Sequence, residues 1–166
     1  VFIETTDSAI LSGFYWALYN PSAIRIGANN VRVIGADIVP SPANGGIWSP
    51  GASSLVAING CFFDGSYNDR ISGHGINGAL IQSQIVGNTF WNLSKSGLFF
   101  YYADTVSIGG NVFYNNNRSE AGYSDIALKP GSGLVCVNNT IFGNSHKNDQ
   151  TGSGKAYCVE ENNDDQ

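Results

Sequence analysis

Three carboxylates lie in polar, glycine-broken stretches where a surface acid can act. Asp69 is in DGSYNDRISGHG, and Glu120 and Asp125 are in and just after NNNRSEAGYSD. Hydrolysis of a glycosidic bond needs two such groups, one protonated and one ionised, and their separation sets retention or inversion. Elimination instead needs a base beside a uronate carboxyl and something to neutralise that carboxyl. Arg70 and His74 lie close to Asp69 in the chain. Each residue also has a plain structural reading. Asp69 and Arg70 can pair with each other, Glu120 can be a solvated loop charge, and His74 between two glycines can simply pack. Asp64 and Asp104 are further acids, but each adjoins a turn, and Asp64-Gly65 is a turn dipeptide. Near these acids stand Trp48, Asn77, Phe99, Tyr101 and Tyr123, which can hold sugar rings by stacking and hydrogen bonding.

The elements that position these residues follow from an internal repeat. In DTVSIGGNVFYNN, the marked positions are Val106, Ile108, Asn111, Phe113 and Asn115. The offsets recur at Ile85, Asn88, Phe90 and Asn92, with Ser83 in the valine slot, and at Val56, Ile58, Cys61, Phe63 and Gly65. They are read again at Val31, Val33, Ala36, Ile38 and Pro40, and at Val135, Val137, Thr140, Phe142 and Asn144. The bulky position then falls at Ile38, Phe63, Phe90, Phe113 and Phe142, in steps of 25, 27, 23 and 29 residues. A period in this range marks a repeat architecture. The spacing of two within each unit is that of strands rather than helices. Stacked units predict a parallel β-solenoid in which the four phenylalanines share one inward column and Asn88 and Asn111 share a corner.

TVSIGGNVFYNN, LVCVNNTIFGN and IQSQIVGNTFWN make the chain resemble the right-handed parallel β-helix, or pectate-lyase-like, family, over roughly residues 24 to 159. The resemblance implies an all-β, right-handed parallel β-helix, here of about five coils. It also implies a polysaccharide lying along the outside of the coil. Among its members, bacteriophage tailspike depolymerases look most similar. That likeness implies recognition and cleavage of a capsule or O-antigen at the virion surface, by a glycoside hydrolase or lyase in a side-by-side homotrimer. No catalytic signature of the pectate lyases, polygalacturonases or alginate epimerases is matched. A non-catalytic glycan-binding segment and the structural shaft of a trimeric spike therefore stand beside the depolymerase.

Composition bounds the rest. The chain has 166 residues with 13% charged and 21 glycines, which suits one all-β repeat domain across 1–166. Net charge is −5 with no basic cluster, so nucleic acid is not an expected partner, and no run has the length of a membrane-spanning helix. Of three cysteines, Cys61 is expected inward as a buried thiol and Cys136 outward between inward Val135 and Val137. No spacing resembles a zinc site, and no cofactor is expected. Methionine is absent even at residue 1, and neither end offers a convincing cap, which predicts a piece of a longer chain. Residues 1–23 read as an irregular first coil or a loop laid over it, and 160–166 as a polar tail. Insertions follow the bulky column in coils two, four and five but not three, so they should emerge on one side and leave a groove between them. On the strand after the insertions, Ile47, Leu98 and Phe100 are expected inward, and Trp48, Phe99 and Tyr101 outward.

Overall fold

The structure, a computed structural model, describes residues 2–3, 8–16, 22–66, 73–118, 125–128, 135–142 and 160–161. These residues form an all-β parallel solenoid of about four turns, with no helix among them. The first face stacks β1 (Phe2–Ile3), β3 (Ile24–Ile26), β5 (Ile47–Ser54), β8 (Ile76–Ile81), β11 (Leu98–Asp104), β14 (Ile126–Leu128) and β17 (Glu160–Glu161). The second stacks β6 (Ala57–Asn59), β9 (Gln84–Val86), β12 (Ser107–Gly109) and β15 (Val135–Val137). The third stacks β7 (Phe62–Asp64), β10 (Thr89–Trp91), β13 (Val112–Tyr114) and β16 (Thr140–Phe142). The second and third faces converge on one continuous strand, β4 (Arg32–Val39), which also pairs with β2 (Ile10–Trp16). The N-terminal segment thus supplies a preceding coil, with Ala9, Leu11 and Tyr15 packed against the core.

Every winding repeats one strand spacing along the axis, roughly 4.8 Å. Inward side chains therefore meet their own counterparts. Phe63, Phe90 and Phe113 are fully buried, and their rings stack at centroid distances of 4.6 and 4.8 Å with interplanar angles of 14° and 8°. The register continues the column into Ile38 at one end and Ile141 at the other. Phe142 is not in it. Phe142 pairs with Tyr114, is 49% exposed, and stacks on the Tyr114 ring on the outer face. The same one-residue shift corrects Cys136, which aligns with inward Ile108 and packs against the core, while Val135 and Val137 are half exposed. Cys61 is buried as expected.

Across the core from the rings, close approach requires glycine. A Cβ added to Gly75 would stand 2.5 Å from the Phe90 ring, and one on Gly97 the same distance from the Phe113 ring. One winding on, where the column has changed from Phe113 to Ile141, the corresponding position holds Asp125.

A buried amide ladder fixes the corner between the second and third faces. Asn111 Oδ1 accepts from the Asn88 backbone N–H and from Asn88 Nδ2, both at 2.9 Å. Asn111 Nδ2 in turn donates to the Ile85 carbonyl at 2.9 Å and to Asn139 Oδ1 at 3.0 Å. Asn88 repeats this toward Cys61 N–H and the Ile58 carbonyl. Left-handed backbone turns each corner. Gly60, Gly87, Gly110 and Asn138 share one such column, and Asn30, Leu55, Gln82 and Thr105 another.

Two stability predictions follow from these corners. Asn111→Ala strands the buried Asn88 N–H and removes the amide donors to the Ile85 carbonyl and Asn139 Oδ1, the latter keeping the Asn111 backbone N–H, so it should cost about 2–3 kcal/mol in urea unfolding. Leu55 is 53% exposed at φ 57°, a conformation that penalises a bulky side chain. Leu55→Asn should therefore raise stability by about 1 kcal/mol, read as an increased Tm.

Candidate functional site

The outward positions of the first face form one axial row, because β3, β5, β8, β11 and β14 pair without offset at its start. Arg25, Trp48, Asn77, Phe99 and Ala127 follow one another in register. Ile47, Leu98 and Phe100 point inward, as the alternation predicts. Trp48 and Phe99 are thus separated by Asn77 and stand two strand spacings apart, roughly 10 Å. The Arg25 guanidinium covers Trp48 at 5.3 Å from the ring centroid. His74 stacks on Phe99 with centroids 4.6 Å apart and planes at 22°. Each ring is thus backed by a neighbour, and a ligand can meet only its other face or its edge. The Asn77 side-chain oxygen, itself buried, has no hydrogen-bond partner among the described residues.

The row continues unevenly further along the face. β5 carries two extra residues, Pro50 and Gly51, relative to β8, and β11 carries one, Tyr101. The Tyr101 hydroxyl reaches past β8 and donates to the Ser49 and Pro50 carbonyls, at 3.0 and 2.9 Å. Its partial burial raises the phenol above its ordinary pKa, so it remains a donor at neutral pH. Tyr102 lies outward beside it, both being about two-fifths exposed. Strict alternation from Leu98 would have turned Tyr102 inward. The bulge at Tyr101 keeps both tyrosines out and returns Ala103 to the core.

The candidate acids are placed differently. Asp125 is 1% exposed, its carboxylate accepts from Asn116 Nδ2 at 3.1 Å, and its carbonyl accepts from Leu98 N–H. Asn116 also donates to the Phe90 carbonyl and accepts from Leu93 N–H, so Asp125 belongs to the buried polar fabric of this edge. Asp64 caps its own turn by accepting from Ser66 N–H and Ser66 Oγ, and Asp104 accepts from Thr105 Oγ1. Asp69, Glu120 and Tyr123 lie outside the described residues. The feet of their segments do not. Ser66 and Gly73 flank one, and Arg118 and Asp125 flank the other, on coils either side of the direct corner Leu93 to Ser96. Corner bonds from Gly65 N–H to Trp91 and from Asn92 N–H to Tyr114 stack these feet along one edge.

Outward aromatics also line the third face. Tyr114 and Phe142 stack at 4.6 Å and 20°, and Phe62 and Trp91 at 6.0 Å and 29°. Their interplanar angles show rings facing one another along the axis. Burial raises the Cys61 thiol above its ordinary pKa, opposed by backbone hydrogen bonds around Ala36, so it is not an activated nucleophile. Among the described residues, no cluster of three or more His, Cys, Asp or Glu side chains is placed to hold a metal ion. No protein-family model, curated protein or solved structure matches the chain.

His74 makes the edge sensitive to acid. Burial, aided by the nearby Lys95 charge, depresses its pKa from 6.5 to about 3, so the imidazole is neutral against Phe99 at physiological pH. The unfolded chain takes up the proton first as pH falls. Stability is therefore intact above about 6.5 and is lost as pH drops toward about 3, by roughly 1.4 kcal/mol per unit inside that window. His74→Phe keeps a ring in the stack and removes the titration. Its unfolding free energy should be flatter than wild type between pH 6.5 and 4, with the two curves parallel above pH 7.

Proposed function

We propose that the protein recognises a polysaccharide laid along the first face of the solenoid, across Trp48, Asn77 and Phe99. The observation that carries this reading is the axial row itself, in which the half-exposed Trp48 and Phe99 project outward in register on either side of Asn77. Sugar rings combine hydroxyls, which the Asn77 carboxamide can meet, with apolar C–H faces that suit Trp48 and Phe99. Tyr101 and Tyr102 extend the same surface, while His74 and Arg25 support it from behind. Assignment to a phage tailspike, extracellular placement and a homotrimeric assembly belong to this proposal through the sequence resemblance. In the cleaving version, Asp69 and Glu120 supply the acid and base, since both segments start and end on the edge next to Phe99. Asp125, inside that edge, would position neighbouring groups rather than meet the sugar.

Affinity electrophoresis in gels containing capsular or O-antigen polysaccharide tests the binding reading. Trp48→Ala, Phe99→Ala and Asn77→Ala should each weaken retardation by roughly tenfold, the loss of one stacking or hydrogen-bonding contact. Equal retardation of all three variants and wild type would refute it. Reducing ends released by wild type but not by an Asp69→Asn variant would add hydrolysis. Unsaturated uronate absorbance would add elimination. A trimer by sedimentation with Phe99 and Tyr101 protected between subunits would support the shaft instead.

A further inference from the structure

In three places the chain sets an asparagine directly before a glycine, at Asn44-Gly45, Asn59-Gly60 and Asn77-Gly78. Such a pair carries latent chemistry. The glycine amide nitrogen can attack the asparagine side-chain carbonyl carbon, and no Cβ on the glycine obstructs its approach. The backbone between the two residues must rotate for this to happen, so the reaction runs where the fold leaves that backbone free.

The fold treats the three pairs differently. Asn77 and Gly78 lie inside β8, in register with Trp48 and Ser49 on one side and with Phe99 and Phe100 on the other. A Cβ on Gly78 would stand 2.2 Å from the Ser49 carbonyl oxygen, so this backbone has no room to turn. Asn59 ends β6 between Ile34 and Val86, and the Gly60 N–H donates to the Val86 carbonyl at 3.1 Å. Asn44 stands instead in the turn that leads from Ser41 back to Gly45, closed by the Ser41 N–H donating to the Gly45 carbonyl at 3.1 Å. Its carboxamide is partly exposed, and neither that group nor the Gly45 N–H is held in a hydrogen bond among the described residues. Electrophile and nucleophile are thus adjacent and uncommitted at this pair.

We propose that Asn44 is a self-modification site, which in the folded protein converts to isoaspartate and aspartate through a cyclic imide with the Gly45 nitrogen. As the bond from the Gly45 nitrogen to Asn44 Cγ forms, the Cγ–Nδ2 bond breaks. The side-chain nitrogen leaves as ammonia, taking the proton that the Gly45 nitrogen gives up. Water then adds to one of the two imide carbonyls. Opening at Cγ restores the ordinary backbone and gives aspartate. Opening at the main-chain carbonyl leaves the chain running through Cβ and Cγ, which is isoaspartate. Either product places a carboxylate where a neutral amide stood, ionised at neutral pH. Beyond the turn, the Gly46 N–H is held by the His74 and Gly75 carbonyls at 3.0 and 3.1 Å, and the Ile47 N–H by Gly75 at 2.9 Å. The extra main-chain atom is therefore absorbed in the turn, and Ile47 and Trp48 keep their register. The new charge appears at the head of β5, beside the first face. The site stands whether or not Trp48 and Phe99 bind a saccharide.

The test is ageing of the folded full chain in mildly alkaline buffer made with heavy-oxygen water, followed by peptide mapping with mass spectrometry. A parallel sample is aged in concentrated guanidinium chloride. Unfolded, the three pairs should convert at similar rates. Folded, Asn44 should convert at least roughly tenfold faster than Asn59 and Asn77, which must wait for their strands to open. Converted Asn44 peptides should carry a solvent oxygen and include both isoaspartate and aspartate. Asn44→Gln, whose longer side chain forms the corresponding ring far more slowly, should melt like wild type and lose the rapid conversion. The proposal is overturned if Asn59 or Asn77 converts as fast as Asn44 in the folded chain, if aspartate forms without isoaspartate, or if the glutamine variant converts at this position at the wild-type rate.

Discussion

The buried carboxamide of Asn111 is the contact on which the rest of the solenoid depends. Its oxygen takes two hydrogen bonds from the winding before, and its nitrogen gives one to that winding and one to the winding after. An amide has no further capacity in the core, so a slip of one residue would leave buried donors and acceptors unmet on several windings at once. A one-residue slip would also turn every inward side chain outward, so the apolar core opposes it as well, whereas a slip of two residues keeps the faces and is resisted chiefly by the ladder. Register in turn decides every outward row, including Arg25 to Ala127 and Ile10 to Ser107.

The aromatic column couples this corner to the opposite face. Phe63, Phe90 and Phe113 fill the width of the core, so the first face can close over them only where Gly46, Gly75 and Gly97 present no Cβ. Burying each ring is worth about 2–3 kcal/mol in transfer terms, which exceeds the roughly 1 kcal/mol that a strand glycine costs. Where the column narrows to Ile141, a side chain reappears at the glycine position. It is Asp125, and the amide of Asn116 receives its carboxylate. The buried acid of this edge thus owes its place to packing on the far side of the core.

Much of the fold is legible in the sequence because stacked windings repeat their residues. Phe63, Phe90 and Phe113 announce the column, and Gly60, Gly87 and Gly110 announce the left-handed corner. The last winding misleads. In LVCVNNTIFGN, alternation permits either Val135 and Val137 or Cys136 to face inward, and Phe142 draws the reading to the wrong register. Asn139 is the discriminating residue, since only an asparagine in line with Asn111 continues the ladder. Two features of the candidate site leave little trace in the pattern. The bulges at Pro50–Gly51 and Tyr101 break strict alternation and expose Tyr102. The backing of Trp48 by Arg25 depends on pairing between windings 23 residues apart, which local spacing does not display.

Outward aromatics on a parallel solenoid have two possible uses, and their axial spacing separates them. On the third face, Tyr114 and Phe142 occupy successive windings, so their rings meet at one strand spacing and cover each other. Phe62 and Trp91 also lie on successive windings but two residues out of register, and their rings meet diagonally at 6.0 Å. Such rings strengthen the sheet but spend their faces on one another, leaving mainly edges for a ligand. On the first face, Asn77 intervenes between Trp48 and Phe99, and Ala127 follows Phe99. Neither ring can cover the other at two spacings, so Phe99 takes the His74 ring of the intervening winding against one face and Trp48 takes the Arg25 guanidinium of the winding before it. The same interruption recurs in polar form where Ala57 parts Arg32 from Gln84. In both places a smaller side chain on the middle winding keeps the flanking groups from covering one another.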